Sequence, residues 1–454
     1  MARMKRKTEE IVNAVRNAGV VGSEDPGVPS YMKLNTTADL IIANGSECEP
    51  LVHSDKALLR QRPDLVLDGV KLAMESTGAK NAVIAVKACD EDIVACLQEV
   101  LSEEPSIDLH LLEDYYPVGD EHLLVYEITK KLVPQGGNSL DIGIVVDDVL
   151  GFAQIYQGVH GKPVTERPVT ICGEVESPQV AWIPIGTPYD EVIRFAGGLK
   201  LQSQDVVILD GGPMKGKIVS NLKDGIGKST CAVLILPKNH LVSKVKQKTL
   251  SQMVKEHQGV SGESSKVAEL CPRYQLGHDI HPDRAFMSLH FPSSIRSSEA
   301  ESAFHCNGCS LCDYLGSDIS NFSPRLVYEA MAKELKKRGV KGPSRRSDIQ
   351  VRKGYNNNRV SLSHLRKRIG VEQYEKKVMP LKEKKTPAVV RIPLLRHVGR
   401  PARPIVFEGQ DVQMGDVIAF SPPSEMGTTC HASISGKVGE VNENWIEIVK
   451  GRKS

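Results

Sequence analysis

Apolar runs alternate with amphipathic stretches through the first third of the chain. Asp39–Asn44 (DLIIAN), Ala82–Lys87 (AVIAVK), Ile107–Leu112 and Ile142–Val146 (IGIVV) read as buried strands. Pro63–Glu75, Glu91–Leu101 and Glu121–Leu132 carry a helical period between them, and residues 5–18 form a charged helix with Ile11, Val12 and Val15 on one face. Strands apolar on both faces and separated by helices predict a parallel sheet covered by helices. This α/β unit is assigned to residues 1–165.

The rhythm then changes. Val169–Gly173, Val180–Ile185, Asp205–Leu209 and Cys231–Pro237 are strand-like, with a short helix at Tyr189–Ala196 and a turn at Gly211–Gly216 (GGPMKG). They predict a small β-rich unit over 166–237. A polar helix from Leu241 to His257 leads into a cysteine-bearing segment, 238–338. Residues 339–385 begin as a basic, Gly/Asn-rich stretch and read as a linker. Residues 386–454 hold short strands broken by Gly and Pro, the pattern of a small barrel or sandwich.

Composition narrows the class. The 454 residues suffice for about three domains. Lys and Arg number 58 against 56 Asp and Glu, so nothing marks a dedicated nucleic-acid binder. No apolar run reaches the ~18 residues of a membrane helix, and residues 1–10 lack the apolar core of a secretory signal. The expectation is a cytoplasmic protein. GxGxxG after a strand and GxxxxGK[ST] are both missing, so standard dinucleotide and P-loop readings fail. Lys215 in GGPMKG reads as part of a structural turn. Cys48, between Glu47 and Glu49, is a poor nucleophile because carboxylates raise a thiol pKa. Ser433–Lys437 (SISGK) does not put a lysine where a lipoyl hairpin would need it.

Four of the ten cysteines are patterned. Cys306-x2-Cys309-x2-Cys312 places three thiolates around one short turn, and Cys271-Pro272 supplies the distant Cys-Pro that completes a 4Fe–4S ligand set. In two-cluster ferredoxins the fourth cysteine of each run serves the other cluster. Counting back from Cys271, the missing partners fall at Ser261, Ser264 and Val267, and no Cys-Pro follows Cys312. The losses remove one complete set and leave the other intact. The same thiolates would also serve zinc, with His278, His281 and His305 as substitute ligands, or belong to a motif that has lost its metal.

The chain resembles the RnfC-like electron-transfer proteins, and among them the cobalamin reductases of propanediol-utilisation microcompartments. The residues are Gly19-Val20-Val21-Gly22, Asn44–Pro50 (NGSECEP), Tyr116–Glu121 (YPVGDE), Gly211–Gly216, Cys271–Tyr274 with Leu276-Gly277-His278, and Leu395–Gly399 (LRHVG). The resemblance implies an α/β multidomain chain: a Rossmann-type domain like the flavin-binding part of complex I, an SLBB β-grasp domain, a ferredoxin-like iron–sulfur segment and a C-terminal barrel-sandwich hybrid. It implies FMN and NADH in the first domain, with Lys33 near the flavin phosphate, Asn44 and Glu47 near the flavin, and Glu49 near the nicotinamide nucleotide. Tyr116, Gly119, Asp120 and Glu121 border that pocket, and no side chain is assigned as catalytic. Implied partners are a ferredoxin, a flavoprotein or a corrinoid enzyme or adenosyltransferase, within a microcompartment or beside a membrane complex.

The chain departs from the family pattern at the flavin. The glycine-rich loop reads Gly22–Pro29 (GSEDPGVP), with Glu24, Asp25 and Pro26 in place of Gly and Ala. Asp147-Asp148 replace an Asn pair, and Gly151 a Thr. Proline removes an amide donor, and ionised carboxylates offer a phosphate none. Two readings follow: an electron-transfer protein with one 4Fe–4S cluster, or an adapter that lost flavin and NADH chemistry and keeps a structural metal site.

Overall fold

The structure, a computed structural model, describes residues 2–23, 27–256, 266–285, 300–316, 322–376, 379–383 and 385–451. It opens on α1 (Ala2–Ala18), which buries Ile11 and Val15 on one face. Strands β1 (Leu40–Asn44), β2 (Asn81–Lys87), β3 (Ile107–Leu112) and β4 (Ile144–Asp148) form one parallel sheet in the order β3–β2–β1–β4. Helices α2 (Ser54–Gln61), α3 (Pro63–Thr77), α4 (Glu91–Leu101), α5 (Glu121–Thr129) and α6 (Val149–Val159) accompany the strands. The strand order turns back at β1, so a crevice opens beyond the carboxyl ends of β1 and β4. There Asn44 lies opposite Asp148, and Ala43 opposite Asp147.

Two expected elements shift. The strand expected at Ile142–Val146 begins at Ile144, because Ser139–Ile142 close a 3-10 turn that ends on Gly143 at φ 73°. It continues to Asp148, whose carboxylate caps α6. The single helix expected over Leu241–His257 is two, α8 (Leu241–Gln247) and α9 (Leu250–Glu256), parted where Lys248 turns extended. His257 lies outside the described residues.

In the second unit, β5 (Glu166–Gly173) runs antiparallel to β6 (Gln179–Pro184) and parallel to β8 (Ala232–Pro237), while β7 (Val206–Asp210) is antiparallel to β8. Helix α7 (Tyr189–Phe195) packs Tyr189, Val192 and Ile193 into the same core as Val169, Ile171, Val233 and Ile235. The cysteine segment is built of short turns, Pro272–Gln275 and Leu311–Leu315, followed by α10 (Pro324–Lys337). Within 339–385, Val360–Ser361 pairs with Tyr115–Tyr116, α11 (Leu362–Ile369) buries Leu362, Leu365 and Ile369, and Leu381–Lys382 extends the β-grasp sheet beside β6.

The C-terminal unit folds β9 (Val389–Pro393), β10 (Val417–Phe420), β11 (Gly436–Val441) and β12 (Trp445–Lys450) around Val390, Ile392, Ile418, Val438, Ile446 and Ile448. It is keyed to the rest by Lys228, whose Nζ donates to the Gly19 carbonyl at 2.7 Å and the Thr429 carbonyl at 2.6 Å. Among the described residues no helix is long and apolar enough to cross a membrane.

Candidate functional site

The crevice at the ends of β1 and β4 collects donors suited to an anion. They are the Lys33 ammonium, the Ser30 hydroxyl, the Ser23 amide and the Gly151 amide in the first turn of α6. A cation and amides at a helix N-terminus are what a phosphate needs. In this chain carboxylates receive them. Asp147 accepts from Lys33 Nζ at 3.1 Å, Ser30 Oγ at 2.8 Å and the Asp148 amide at 3.1 Å. Asp148 accepts from the Ser23 amide at 2.6 Å and the Gly151 amide at 2.7 Å. Burial raises the Asp147 pKa, Lys33 opposes this, and the like charge of Asp148 adds to it. Glu24, Asp25 and Pro26 lie outside the described residues.

Asn44 and Glu47 hold their own loop together. The Asn44 amide donates to the Gly119 carbonyl at 2.9 Å, and its oxygen accepts from the Ser46 amide at 3.2 Å and hydroxyl at 2.7 Å. A Cβ at Gly119 would collide with Ser46 Oγ and displace its hydrogen bond to Asn44. Glu47, at φ 31°, accepts from Ser54 Oγ at 2.9 Å and from the Asp55 and Lys56 amides at 2.8 and 2.9 Å. It thereby satisfies the start of α2. Glu121 accepts from the Ser139 amide at 2.7 Å.

Glu49 and Tyr116 join three units. Glu49 Oε1 accepts from the Met214 and Lys215 amides at 2.6 and 3.0 Å, so the GGPMKG turn closes on a carboxylate. Burial pushes the Glu49 carboxyl up, against those two amides and the nearby Lys246 and Lys215 cations. The Tyr116 hydroxyl donates to the Cys309 carbonyl at 2.9 Å and stands 3.5 Å from Glu49 Oε2. Ser310 Oγ donates to the Met214 carbonyl at 2.8 Å, and the Tyr314 hydroxyl to the Pro213 carbonyl at 3.3 Å.

Asp120 makes the second tie. It caps α5 and accepts from Arg273 at 3.0 Å and Asn307 at 2.7 Å. Burial alone would raise its pKa, but Arg273, His122, Lys215 and the Asn307 hydrogen bond together hold it well below the usual carboxylate range. Arg273 and Asn307 are functional neighbours that spacing did not single out, although both sit inside the cysteine motifs. Beside them lies a buried row of histidines: His122 Nδ1 lies 3.1 Å from His278 Nε2, and the His278 and His305 ring centroids are 5.8 Å apart.

Cys271, Cys309 and Cys312 are buried and Cys306 half-buried, all as free thiols. Burial pushes Cys271 up to about 12 and Cys306 up to about 11. Cys309 and Cys312 are also raised by burial first, then by charged neighbours that include the other cysteines. Cys271 and Cys306 pack in one buried cluster with Met253, Ile280, Val327 and Tyr328. Among the described residues, no group of three or more His, Cys, Asp or Glu side chains is arranged to hold a metal ion. The donor chemistry nonetheless suits an iron–sulfur cluster: four thiols, a CxxCxxC turn and a Cys-Pro partner. The anion crevice, by contrast, does not fit a flavin phosphate, because its donors are taken by Asp147 and Asp148.

Comparison with known proteins follows the same divisions. Residues 15–157 match the Nuo51 FMN-binding domain, 168–217 the SLBB domain and 366–453 the RnfC barrel sandwich hybrid domain. The chain is 29% identical over 451 residues to a cobalamin reductase PduS of Salmonella typhimurium, covering 99% of this chain and 98% of that protein. A PduS of Citrobacter freundii is 29% identical over 98% of this chain and 97% of its own length. The RnfC-type component of the Na(+)-translocating ferredoxin:NAD(+) oxidoreductase complex of Acetobacterium woodii is 32% identical over 51% of this chain and 53% of its own. With a flavin-type domain, an SLBB domain and an RnfC barrel matched in one chain, this protein is similar along its length to the RnfC-like electron-transfer proteins.

Proposed function

We propose that this protein is a single-electron carrier of the RnfC and cobalamin-reductase type, with one 4Fe–4S cluster held by Cys271, Cys306, Cys309 and Cys312. What supports this reading is the ligand spacing Cys306-x2-Cys309-x2-Cys312 with Cys271-Pro272, and the packing of Cys271 and Cys306 in one buried cluster. The CxxCxxC loop is bonded to the nucleotide-type domain through Tyr116–Cys309 and Asp120–Asn307, and the Cys271 turn through Asp120–Arg273. A bound cluster supplies one-electron oxidation and reduction at a buried position. The protein's part is to hold the thiolates, exclude water with Tyr314, Tyr328 and Leu311, and place Arg273 near the cluster's negative charge.

The acceptor we propose is an acidic redox protein, such as a ferredoxin, a flavoprotein or a corrinoid enzyme. Residues 333–353 hold nine Lys or Arg against Glu334 and Asp348. This basic run stands on the cysteine segment. Lys336 lies 6.0 Å from the Phe304 ring, two residues before Cys306, and Arg352 lies 3.8 Å over the Tyr274 ring, three residues after Cys271. Positive charge beside a redox centre steers acidic partners to it.

A second reading, in which the flavin-type domain serves only as a scaffold, is favoured by the carboxylates in the anion crevice. Anaerobic purification with iron, zinc and flavin analysis separates the readings. About four irons per chain with a charge-transfer absorbance that bleaches on reduction supports the carrier. Stoichiometric zinc without iron supports the scaffold.

A further inference from the structure

We infer that Asp147 and Asp148 act as a built-in anion that closes the phosphate cradle of the flavin-type domain, so that the chain excludes FMN where its domain family would bind it. Four features of the crevice carry this. The two carboxylates take up one ammonium, one hydroxyl and the amides of Ser23 and Gly151, at 2.6–3.1 Å. The space is tight: a Cβ on Gly22 would lie 3.1 Å from Asp147 Oδ1, 3.6 Å from Asp148 Oδ2 and 3.8 Å from Lys33 Nζ. Asp147 is 4% exposed, so it holds its place inside the fold rather than at a swinging surface position. The surroundings disfavour a further anion: burial first, then the negative charges of Glu47 and Asp148, raise the Asp55 pKa well above the usual range, with Arg167 opposing them. A phosphate entering here would have to displace two carboxylates from their donors and then lie against them.

Neither position needs an acid to fold. Asn caps a helix as well as Asp does, and an Asn at 147 can keep its oxygen on Lys33 while its amide donates to the Ser30 hydroxyl. The charge is what separates a closed cradle from an open one, because an amide adds donors where an ionised carboxylate has none.

The test is the double variant Asp147→Asn with Asp148→Asn in the full-length protein, compared with the unaltered chain at pH 7. FMN binding is followed by quenching of flavin fluorescence. Inorganic phosphate binding is followed by the shift in thermal midpoint against chloride of equal ionic strength. The unaltered chain is expected to show no saturable FMN binding and no phosphate shift beyond its response to chloride. The double variant is expected to bind FMN at least tenfold more tightly and to gain a phosphate-specific shift, both lost when Lys33→Met is added. Stoichiometric FMN on the unaltered chain overturns the inference. So does a folded double variant, judged by circular dichroism, that gains neither response. Iron content measured on the same samples reports separately on the cysteine site, so failure of the electron-carrier reading leaves this result standing.

Discussion

The hydroxyl of Tyr116 donates to the carbonyl of Cys309 at 2.9 Å, across 193 residues of sequence. One partner belongs to the loop that borders the α/β crevice and the other lies inside the CxxCxxC turn. Both are buried, so this hydrogen bond sets the distance between the nucleotide-type domain and the thiols. Burial, and then the Glu49 and Cys309 charges, keep the phenol protonated and able to donate. Tyr116→Phe should leave the Cys309 carbonyl unsatisfied and cost about 1–2 kcal/mol. Chemical unfolding measures this, and an unchanged midpoint would show that the bond does not hold the joint.

Asp120→Asn isolates charge from shape. Asn keeps the cap on α5, but Arg273 loses its buried counter-ion. Removing one partner of such a pair costs about 3 kcal/mol. The expected outcome is a lower thermal midpoint together with reduced iron retention, since Arg273 lies two residues from Cys271. Asp120→Glu should not restore stability, because the longer side chain displaces the capping geometry.

Acid sensitivity should come from the histidines. Burial and Arg273 depress His122 to about 2 and His278 to about 3. Their unfolded value is near 6.5, so between pH 6.5 and those values the unfolded chain binds more protons. Stability is full above about pH 6.5 and falls as pH drops, by roughly 1.4 kcal/mol per pH unit for each histidine. Asp120, itself depressed, contributes fully down to about pH 4 and is lost progressively below it. Thermal midpoints from pH 7 to 4.5 should decline, and His122→Gln should flatten the decline. A slope unchanged by His122→Gln would place the proton uptake elsewhere.

Cys271→Ala should abolish most iron binding, while Cys172→Ala, in the β-grasp core, should leave the iron content unchanged. Iron analysis after anaerobic reconstitution decides it. Equal iron in both variants would remove Cys271 from the ligand set.

If the basic run over residues 333–353 steers an acidic acceptor, the bimolecular electron-transfer rate should fall about tenfold between roughly 20 and 200 mM salt. Lys336→Glu with Lys337→Glu and Lys341→Glu should remove most of that dependence; all three positions are exposed. Stopped-flow mixing with a reduced ferredoxin reads this directly. A rate indifferent to salt would exclude the surface.

Much of the fold was legible along the chain because its cues are local. Glu91–Leu101 and Ile107–Leu112 appear at the expected bounds, since each buries one pattern of side chains against a single neighbouring layer. Helix α6 was not anticipated. Its sequence, VLGFAQIYQGV, is apolar nearly all round because it packs against α3, α1 and the sheet, and so shows no polar face. Helix α8 and helix α9 merged into one because nothing in the sequence marks Lys248 as a break.

The candidate site divides the same way. Sequence alone selected the four cysteines, because ligand spacing is written in near-consecutive residues, and the family resemblance marked Asp147 and Asp148 as out of place beside a phosphate. Tertiary structure decided what those residues touch. Parallel pairing set Asp147 and Asp148 beside Ala43 and Asn44 at the ends of two strands about a hundred positions apart in the chain. Chain folding then brought Lys33, Ser30 and Ser23 onto their carboxylates. Arg273 and Asn307 meet Asp120 only because the cysteine segment docks on the motif loop. Such pairings depend on which buried charges and donors must satisfy one another once water is gone, and no spacing along the chain encodes that.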